Sequence, residues 1–265
     1  MSGTARILCV GDIVGKPGRQ TLYGHLPAIQ KQFNVDFTVV NVENSAAGFG
    51  ITPALYHEID SKAHIDAMTL GNHFPDKKEL LPEMDKLPRL LRPVNLPPGT
   101  PGVGYRIFES SVGPIAVVNA IGRVFMGLSD CPFQWFQNHI EVLRKKAAIV
   151  LVDFHGEATS EKLAMGWYMD GKVTAVWGTH THVQTADEQI LPQGTAYITD
   201  IGMVGPKLGI IGMKRQPIIK RFFDQLPVRM EPEDKGACVF NAIVIEADTQ
   251  SGQALQIARI FETYA

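Results

Sequence analysis

Short polar clusters interrupt this chain where predicted apolar strands end, and this feature limits most strongly how it can fold. Apolar runs of strand length alternate with helical patterns, which predicts a layered α/β fold with parallel strands. The clusters are Gly11-Asp12, Glu43-Asn44, Gly71-Asn72-His73, His155, Gly178-Thr179-His180-Thr181-His182 and Asp200-Ile201-Gly202. Because sites in open α/β sheets lie outside the carboxyl ends of the strands, these side chains are expected to converge on one site.

The elements between the clusters are predicted from hydrophobic periodicity and from turn residues. Strands are predicted at residues 6–10, 36–42, 66–70, 148–154, 173–177 and 196–199, and helices at 17–33, 53–62, 76–87, 133–146 and 160–169. Hairpins are predicted for 105–109 with 114–119 and for 238–247 with 255–261. Pro27 should kink or divide the first helix, and Thr52 before Pro53 should cap the second.

The chain is expected to form a single domain over residues 1–265. Its middle differs from the rest, because residues 89–104 are rich in Pro and Gly and residues 123–137 carry several aromatics without a clear period. The segment around 89–137 is therefore a candidate small cap over the site.

Composition excludes some classes of function. The net charge of −2 argues against an extended nucleic-acid-binding surface. The basic stretch Lys214-Arg215 with Lys220-Arg221 is interpreted as solvated surface. The three cysteines form neither a CxxC pair nor a disulfide framework, which fits a reducing cytoplasm. The N-terminal apolar run 7–10 is too short for a signal peptide or a membrane span.

The clusters supply carboxylate, amide and imidazole groups, which hold hard or borderline divalent metals. Each has an ordinary alternative: Asp12 could cap a loop, Gly71-Asn72-His73 could be a turn, and HxH occurs by chance. In extended backbone, however, His180 and His182 would point to the same side. GDIVGK is not a phosphate loop, because three residues rather than four separate its glycines and Pro17 stands at the magnesium-binding position. The other histidines are interpreted as structural or surface residues: His25, His57, His64 and His139.

The order of the motifs, with Asp first, Gly-Asn-His between and HxH late, resembles that of the calcineurin-like metallophosphoesterases. The fuller set is similar to the YmdB-like branch of cyclic-nucleotide phosphodiesterases: GDIVGKPGR, NVENSAAGFGIT, TLGNH, DFHGEATSEK, GTHTHVQTADEQILPQGTAYITDIGM and the closing hairpin. The resemblance spans nearly the whole chain. It implies a layered α/β/β/α metallophosphoesterase sandwich with mixed sheets.

The resemblance also implies the roles of individual residues. One metal ion would be held by Asp12, Glu43, Asn44 and His182, and a second by Glu43, Asn72, His155 and His180. Glu43 would bridge the two ions, and His73 would be the general acid. The ions would be divalent transition metals, with iron or manganese favoured and zinc compatible. The implied activity is hydrolysis of a small-molecule substrate, a 2′,3′-cyclic nucleoside monophosphate or another phosphodiester.

Two departures from the wider pattern are visible. Ile13 and Val14 follow Asp12, so the first-motif histidine of the superfamily is absent, as it is in the YmdB-like branch. Phe74-Pro75-Asp76 stands where the branch often has an aromatic residue next to Asp, which bears on substrate fit. The sequence leaves two alternatives open: a phosphomonoesterase or other metallohydrolase, and a non-catalytic metal-bound regulatory or RNA-associated protein. It also leaves open a homo-oligomer.

Overall fold

Two β-sheets packed face to face, with helices on both outer sides, make up this protein in the computed structural model, which describes residues 3–265. The strands are β1 Thr4–Val10, β2 Asp12–Ile13, β3 Phe37–Asn41, β4 Ala67–Thr69, β5 Leu90–Leu91, β6 Tyr105–Phe108, β7 Ile115–Ile121, β8 Ile149–His155, β9 Ala175–Thr179, β10 Gln189–Ile190, β11 Ala196–Ile198, β12 Met203–Pro206, β13 Cys238–Asp248 and β14 Ala254–Tyr264. The helices are α1 Gly15–Phe33, α2 Pro53–Lys62, α3 Pro132–Arg144, α4 Thr159–Met169 and α5 Arg215–Asp224, and a 3₁₀ helix covers Lys78–Lys86.

Both sheets are mixed. The first has the order β2-β12-β13-β1-β3-β4-β5, with β14 added to β13. Its pairs β1–β3, β3–β4, β4–β5 and β2–β12 are parallel, whereas the pairs that β13 makes are antiparallel. The second sheet has the order β10-β11-β9-β8-β7-β6, with parallel pairs in its centre and an antiparallel pair at each edge. The parallel centres place the carboxyl ends of β3, β4, β8 and β9 at one edge.

Three apolar layers, with a smaller apolar cluster at β12, β13 and α5, hold the described elements together. The layer between the sheets contains Cys9 and Phe37 of the first sheet and Leu151 and Trp177 of the second. Outside the first sheet α1, α2 and the 3₁₀ helix cover one apolar layer, and outside the second sheet α3 and α4 cover another. The predicted α/β/β/α layering is confirmed.

Proline influences three of the predicted helices. The start of α2 is as predicted, because the Thr52 hydroxyl accepts a hydrogen bond from the Leu55 amide at 3.1 Å and Pro53 follows it. The helix predicted at 76–87 is a 3₁₀ helix, since Pro82 inside it removes an i→i−4 donor. Of the two outcomes predicted at Pro27, a kink or a division, the division does not occur: α1 continues through Pro27, which is exposed, so water can satisfy the carbonyl that loses its partner.

Several short elements were not predicted, namely β2, β5, β10, β12 and α5. Four of them are strands of two to four residues, too short to show a period. The basic stretch at 214–221 begins α5, where Ile219, Phe222 and Phe223 are exposed. The segment 89–137 contributes β5 to the first sheet and β6 and β7 to the second. Among the described residues, no helix is long and apolar enough to cross a membrane.

Candidate metal centre

The seven residues predicted as metal ligands lie at one edge of the two sheets. Asp12 lies in β2, Glu43 and Asn44 follow β3, Asn72 follows β4, His155 ends β8, and His180 and His182 follow β9. Five of them are buried: Asp12, Glu43, Asn44, His155 and His182. The packing of the two sheets therefore brings together residues that are up to 170 positions apart in the sequence.

Four of these side chains meet at the imidazole of His155. Its Nε2 atom lies 2.9 Å from Glu43 Oε1 and 2.9 Å from Asn72 Oδ1. It also lies 3.1 Å from Nδ1 of His180. One ligand atom each from Glu43, His155 and His180 falls within 4.8 Å of the others, so the three could hold a single cation. This carboxylate, amide and imidazole set without thiolate suits iron, manganese or zinc.

The remaining three residues form the second part of the site. Oδ1 of Asp12 lies 3.9 Å from Nε2 of His182, and its Oδ2 accepts a hydrogen bond from the backbone amide of His180 at 3.3 Å. Within residues 3–265, the buried Oδ1 atoms of Asp12 and Asn44 have no hydrogen-bond partner. Because an unsatisfied buried oxygen costs free energy, a cation that both oxygens could ligate fits this place. The residues therefore fit the metal ions that the sequence motifs imply.

The charges of the site depend on burial and on close pairing. Burial raises the pKa of Asp12 well above its usual range. Burial lowers the pKa of His180 to about 3, with the His155 charge contributing, and lowers that of His182. Burial opposes the charging of both members of the His155–Glu43 pair, but their mutual attraction outweighs it and moves the pKa of His155 to about 9 and that of Glu43 to about 2. Two neutral imidazoles are thus available in the form that binds metals.

The orientation of His155 is fixed by groups that contact the Nδ1 side of its ring, away from the other ligand-type residues. These groups were not predicted from the sequence. The Nδ1 atom of His155 lies 2.9 Å from the hydroxyl of Thr179, which donates to Oδ1 of Asp153 at 2.6 Å. Asn41 donates to the other oxygen of Asp153 at 3.1 Å. This chain of hydrogen bonds orients the ring so that Nε2 faces the other ligand-type side chains. The only sequence signal was an Asp inside the apolar run AIVLVDF.

The His180–His182 segment is not extended, contrary to the reasoning from HxH spacing. Strand β9 ends at Thr179, and His180 and His182 have positive φ angles of 100° and 64°. The carboxylate of Asp200 holds this strained turn, because it accepts hydrogen bonds from the Thr181 amide at 3.1 Å and the Thr181 hydroxyl at 2.8 Å. Lys162, which is buried, pairs with the same oxygen at 2.7 Å. Asp200 belongs to the last polar cluster of the sequence. Its role in the structure is to hold the conformation of the His180–His182 turn.

His73, the predicted general acid, lines the same cavity of about 420 Å³ as Glu43 and His182. Its Nδ1 atom lies 2.8 Å from Oδ2 of Asp76. Donation of the Nδ1 proton to that carboxylate leaves Nε2 as the nitrogen available for proton transfer. The backbone amide of His73 donates to Glu43 Oε2 at 3.1 Å, which ties this loop to the ligand cluster.

Two aromatic residues that follow polar clusters in the sequence, Phe49 and Phe74, have different surroundings. Phe49 lines the cavity, and its ring makes an edge contact with His73 at a centroid distance of 5.0 Å. Phe74 is buried in the apolar layer beneath α1 and α2. Pro75 is exposed. Phe49 is therefore the aromatic residue of the two that a substrate could reach.

Gly71 leaves the space in which the ligands meet. A Cβ atom at this position would lie 2.3 Å from His155 Nε2 and 2.4 Å from Glu43 Oε2. Gly71→Ala should therefore weaken metal binding by about tenfold or more, the scale seen when supporting groups of a metal site are disturbed. Calorimetric titration of the metal-stripped protein with Mn²⁺ measures this. Gly24→Ala in α1 is the matched control, because a Cβ there meets nothing within 4 Å, and equal affinities for the two variants would contradict the prediction.

The model of the YmdB-like protein family matches residues 8–260 of this chain. The chain belongs to the YmdB-like family. It is 47% identical over 255 residues to the 2′,3′-cyclic-nucleotide 2′-phosphodiesterase of Bacillus subtilis (strain 168), and this match covers 96% of each chain.

Two solved structures resemble this one over nearly its whole length. The crystal structure of a novel phosphatase from Mycoplasma pneumoniae matches with a TM-score of 0.92 at 31% identity, covering 99% of this chain and 95% of that one. The crystal structure of a hypothetical protein from Thermus thermophilus matches with a TM-score of 0.90 at 36% identity, covering 98% and 100%. The predicted family and metallophosphoesterase fold are confirmed, and with them the prediction that the chain is an enzyme.

Proposed function

We propose that this protein is a dinuclear-metal phosphodiesterase that hydrolyses 2′,3′-cyclic nucleoside monophosphates. The observation that carries the proposal is the meeting of seven ligand-type side chains at one edge of the sheets, where four of them line one cavity together with His73. The activity named for the Bacillus subtilis relative, at 47% identity, supports the same substrate class.

The two metal positions follow from the two parts of the site. Glu43, Asn72, His155 and His180 would hold one ion, and Asp12, Asn44 and His182 would hold the other together with Glu43 as the bridge. When bound, a pair of divalent ions neutralises the negative charge of the phosphoryl oxygens and activates water. Iron or manganese is favoured by the ligand set, and zinc is compatible with it.

His73 acts on the leaving group. Water adds to phosphorus and releases one proton to solvent, the bond from phosphorus to one ribose oxygen breaks, and that oxygen takes the proton from His73 Nε2. Asp76, with its Oδ2 at 2.8 Å from Nδ1, fixes the orientation of the ring and leaves Nε2 as the nitrogen that transfers the proton. Solvent then returns the proton, because a quarter of the His73 side chain is exposed.

The walls of the cavity suit a compact nucleotide. Its volume of about 420 Å³ lies in the range of small-molecule sites. Phe49, Ile211, Met213 and Met230 provide an apolar wall on which a base can lie. Because stacking tolerates every base, we expect 2′,3′-cyclic AMP and 2′,3′-cyclic GMP to react at rates within about tenfold of each other.

A side-by-side rate comparison tests the substrate class. The substrates are 2′,3′-cyclic AMP, 2′,3′-cyclic GMP, 3′,5′-cyclic AMP and p-nitrophenyl phosphate, each with the metal-loaded protein. The two 2′,3′-cyclic nucleotides should react fastest, because their strained diester has one leaving oxygen for His73 to protonate. Faster cleavage of the monoester than of every cyclic diester would move the assignment to a phosphomonoesterase.

A further inference from the structure

A second cavity of about 710 Å³ continues from the candidate active site. Phe49 and Met230 line both cavities, so they form the shared wall between them. Phe49 also contacts the ring of His73. A substrate that extends beyond Phe49 would therefore enter this second cavity.

Among the residues that line the second cavity, cationic side chains outnumber acidic ones, and the carboxylates of Glu233 and Asp234 lie near Lys214 outside the lining. Lys77, Lys214 and Arg229 line it, and Glu231 is its acidic residue. Glu231 is shared between Lys214 at 3.1 Å and Arg229 at 3.2 Å, so one carboxylate faces two cations. Lys77 makes no ion pair with any of residues 3–265. This excess among the lining residues contrasts with the net charge of −2 of the chain.

The backbone segments that carry these cationic residues are joined to the active site or to each other. Lys77 directly follows Asp76, the partner of His73. Its stem lies against Gly50, where an added Cβ would come within 2.9 Å of Lys77 Cγ. On the opposite side, the Lys214 amide donates to the Glu231 carbonyl at 2.8 Å, which joins the two segments that carry the other cations.

We propose that this second cavity binds a further phosphate group of the substrate, attached at the 5′ side of the nucleoside whose 2′,3′-cyclic phosphate is opened. The inference rests on the proposed function, because it extends the same site. Lys and Arg side chains are the usual partners of phosphate oxygens, and a phosphate would replace Glu231 as the partner of Lys214 and Arg229. The further phosphate could be a 5′-monophosphate or the internucleotide phosphate of a short RNA that ends in a cyclic phosphate.

Three substrates separate these sources: 2′,3′-cyclic AMP, the same nucleotide with a 5′-phosphate, and the dinucleotide ApA with a 2′,3′-cyclic phosphate end. For the metal-loaded wild type we expect kcat/KM to be at least about tenfold higher when the further phosphate is present. Preference for both phosphorylated substrates supports an RNA end, whereas preference for the 5′-monophosphate alone supports a mononucleotide. In both cases the second cavity is a phosphate site.

Variants and the dependence on salt test whether the second cavity causes the preference for substrates with a further phosphate. In the double variant Lys77→Gln/Arg229→Gln the preference should fall to about threefold or less, whereas the remote exposed control Lys31→Gln should keep it. In the wild type, raising salt from about 0.05 M to about 0.5 M should also shrink it, a readout that does not depend on the folding of a variant.

The outcomes separate the two proposals. Equal kcat/KM for all three substrates, or a preference that the double variant retains in full, overturns the second phosphate site and leaves the phosphodiesterase assignment in place. If none of the three substrates is hydrolysed, the proposed function fails, and the inference fails with it.

Discussion

Replacing His73 by alanine should slow hydrolysis of 2′,3′-cyclic AMP by about 10²–10⁴-fold, the usual scale for general acid–base catalysis, without loss of metal. The metal should remain because His73 contributes its backbone amide, not its ring, to the Glu43 carboxylate. The rate should fall because the leaving ribose oxygen then departs without a proton. Rates and metal content of the purified variant are measured together.

The leaving group distinguishes acid catalysis from positioning at His73. The loss should shrink with bis-p-nitrophenyl phosphate, since nitrophenolate needs little protonation. Asp76→Asn should show the same dependence in weaker form, because it removes the charge that faces Nδ1. His64→Ala, a change at an exposed histidine at the opposite ends of the strands, is the matched control and should be silent. An equally large loss on the activated ester would mean that His73 positions phosphate or metal instead.

Glu43→Gln should reduce turnover by at least about a hundredfold, which corresponds to about 2.7 kcal/mol of transition-state stabilisation. Glutamine keeps the shape of the buried side chain, so the change removes charge rather than packing. In our proposal that charge serves both ions, and Oε1 already lies 2.9 Å from the Nε2 atom of His155. Steady-state kinetics at saturating Mn²⁺ would give the loss in turnover.

His182→Ala is the comparison for Glu43, because His182 would contact one ion only. It should cost less activity than Glu43→Gln and should lower the metal content by no more than one ion per chain, as elemental analysis would show. Its imidazole is buried and its Nδ1 lies 2.9 Å from the Ile211 carbonyl, so the melting temperature has to be recorded as well. Equal, mild effects of the two changes would show that Glu43 is only a loop residue.

The positions of the ligand-type residues could be predicted because parallel strands align their carboxyl ends. Glu43, Asn72 and His155 each end an apolar strand or follow one within three residues, and such strands are readable from sequence. Their convergence then follows from topology. The role of each residue as a ligand was predicted from the resemblance of the motifs to those of the YmdB-like family, not from their spacing.

The groups that support the ligands could not be predicted in the same way. Lys162 lies in α4, where a charged residue is expected to face water, yet it is buried and paired with Asp200, which is 38 residues away in the sequence. The chain from His155 to Asp153 joins two residues of β8 through Thr179 of the neighbouring strand. Histidine is found at positive φ more often than most residues, but the positive φ angles of the HxH turn are held by tertiary contacts to Asp200, which the local sequence does not show. Side-chain contacts between distant elements leave no period in a sequence.

The central claim, that the site holds two metal ions that catalysis requires, is tested most directly by metal stoichiometry. Elemental analysis of protein purified without chelators, followed by removal of the metal and titration with Mn²⁺ or Fe²⁺, gives both metal content and activity. We expect about two ions per chain, with activity on 2′,3′-cyclic AMP lost on removal and regained as the second ion binds. A protein that is purified without metal and gains no activity with either ion, or one that is fully active with a single ion, would contradict the dinuclear account.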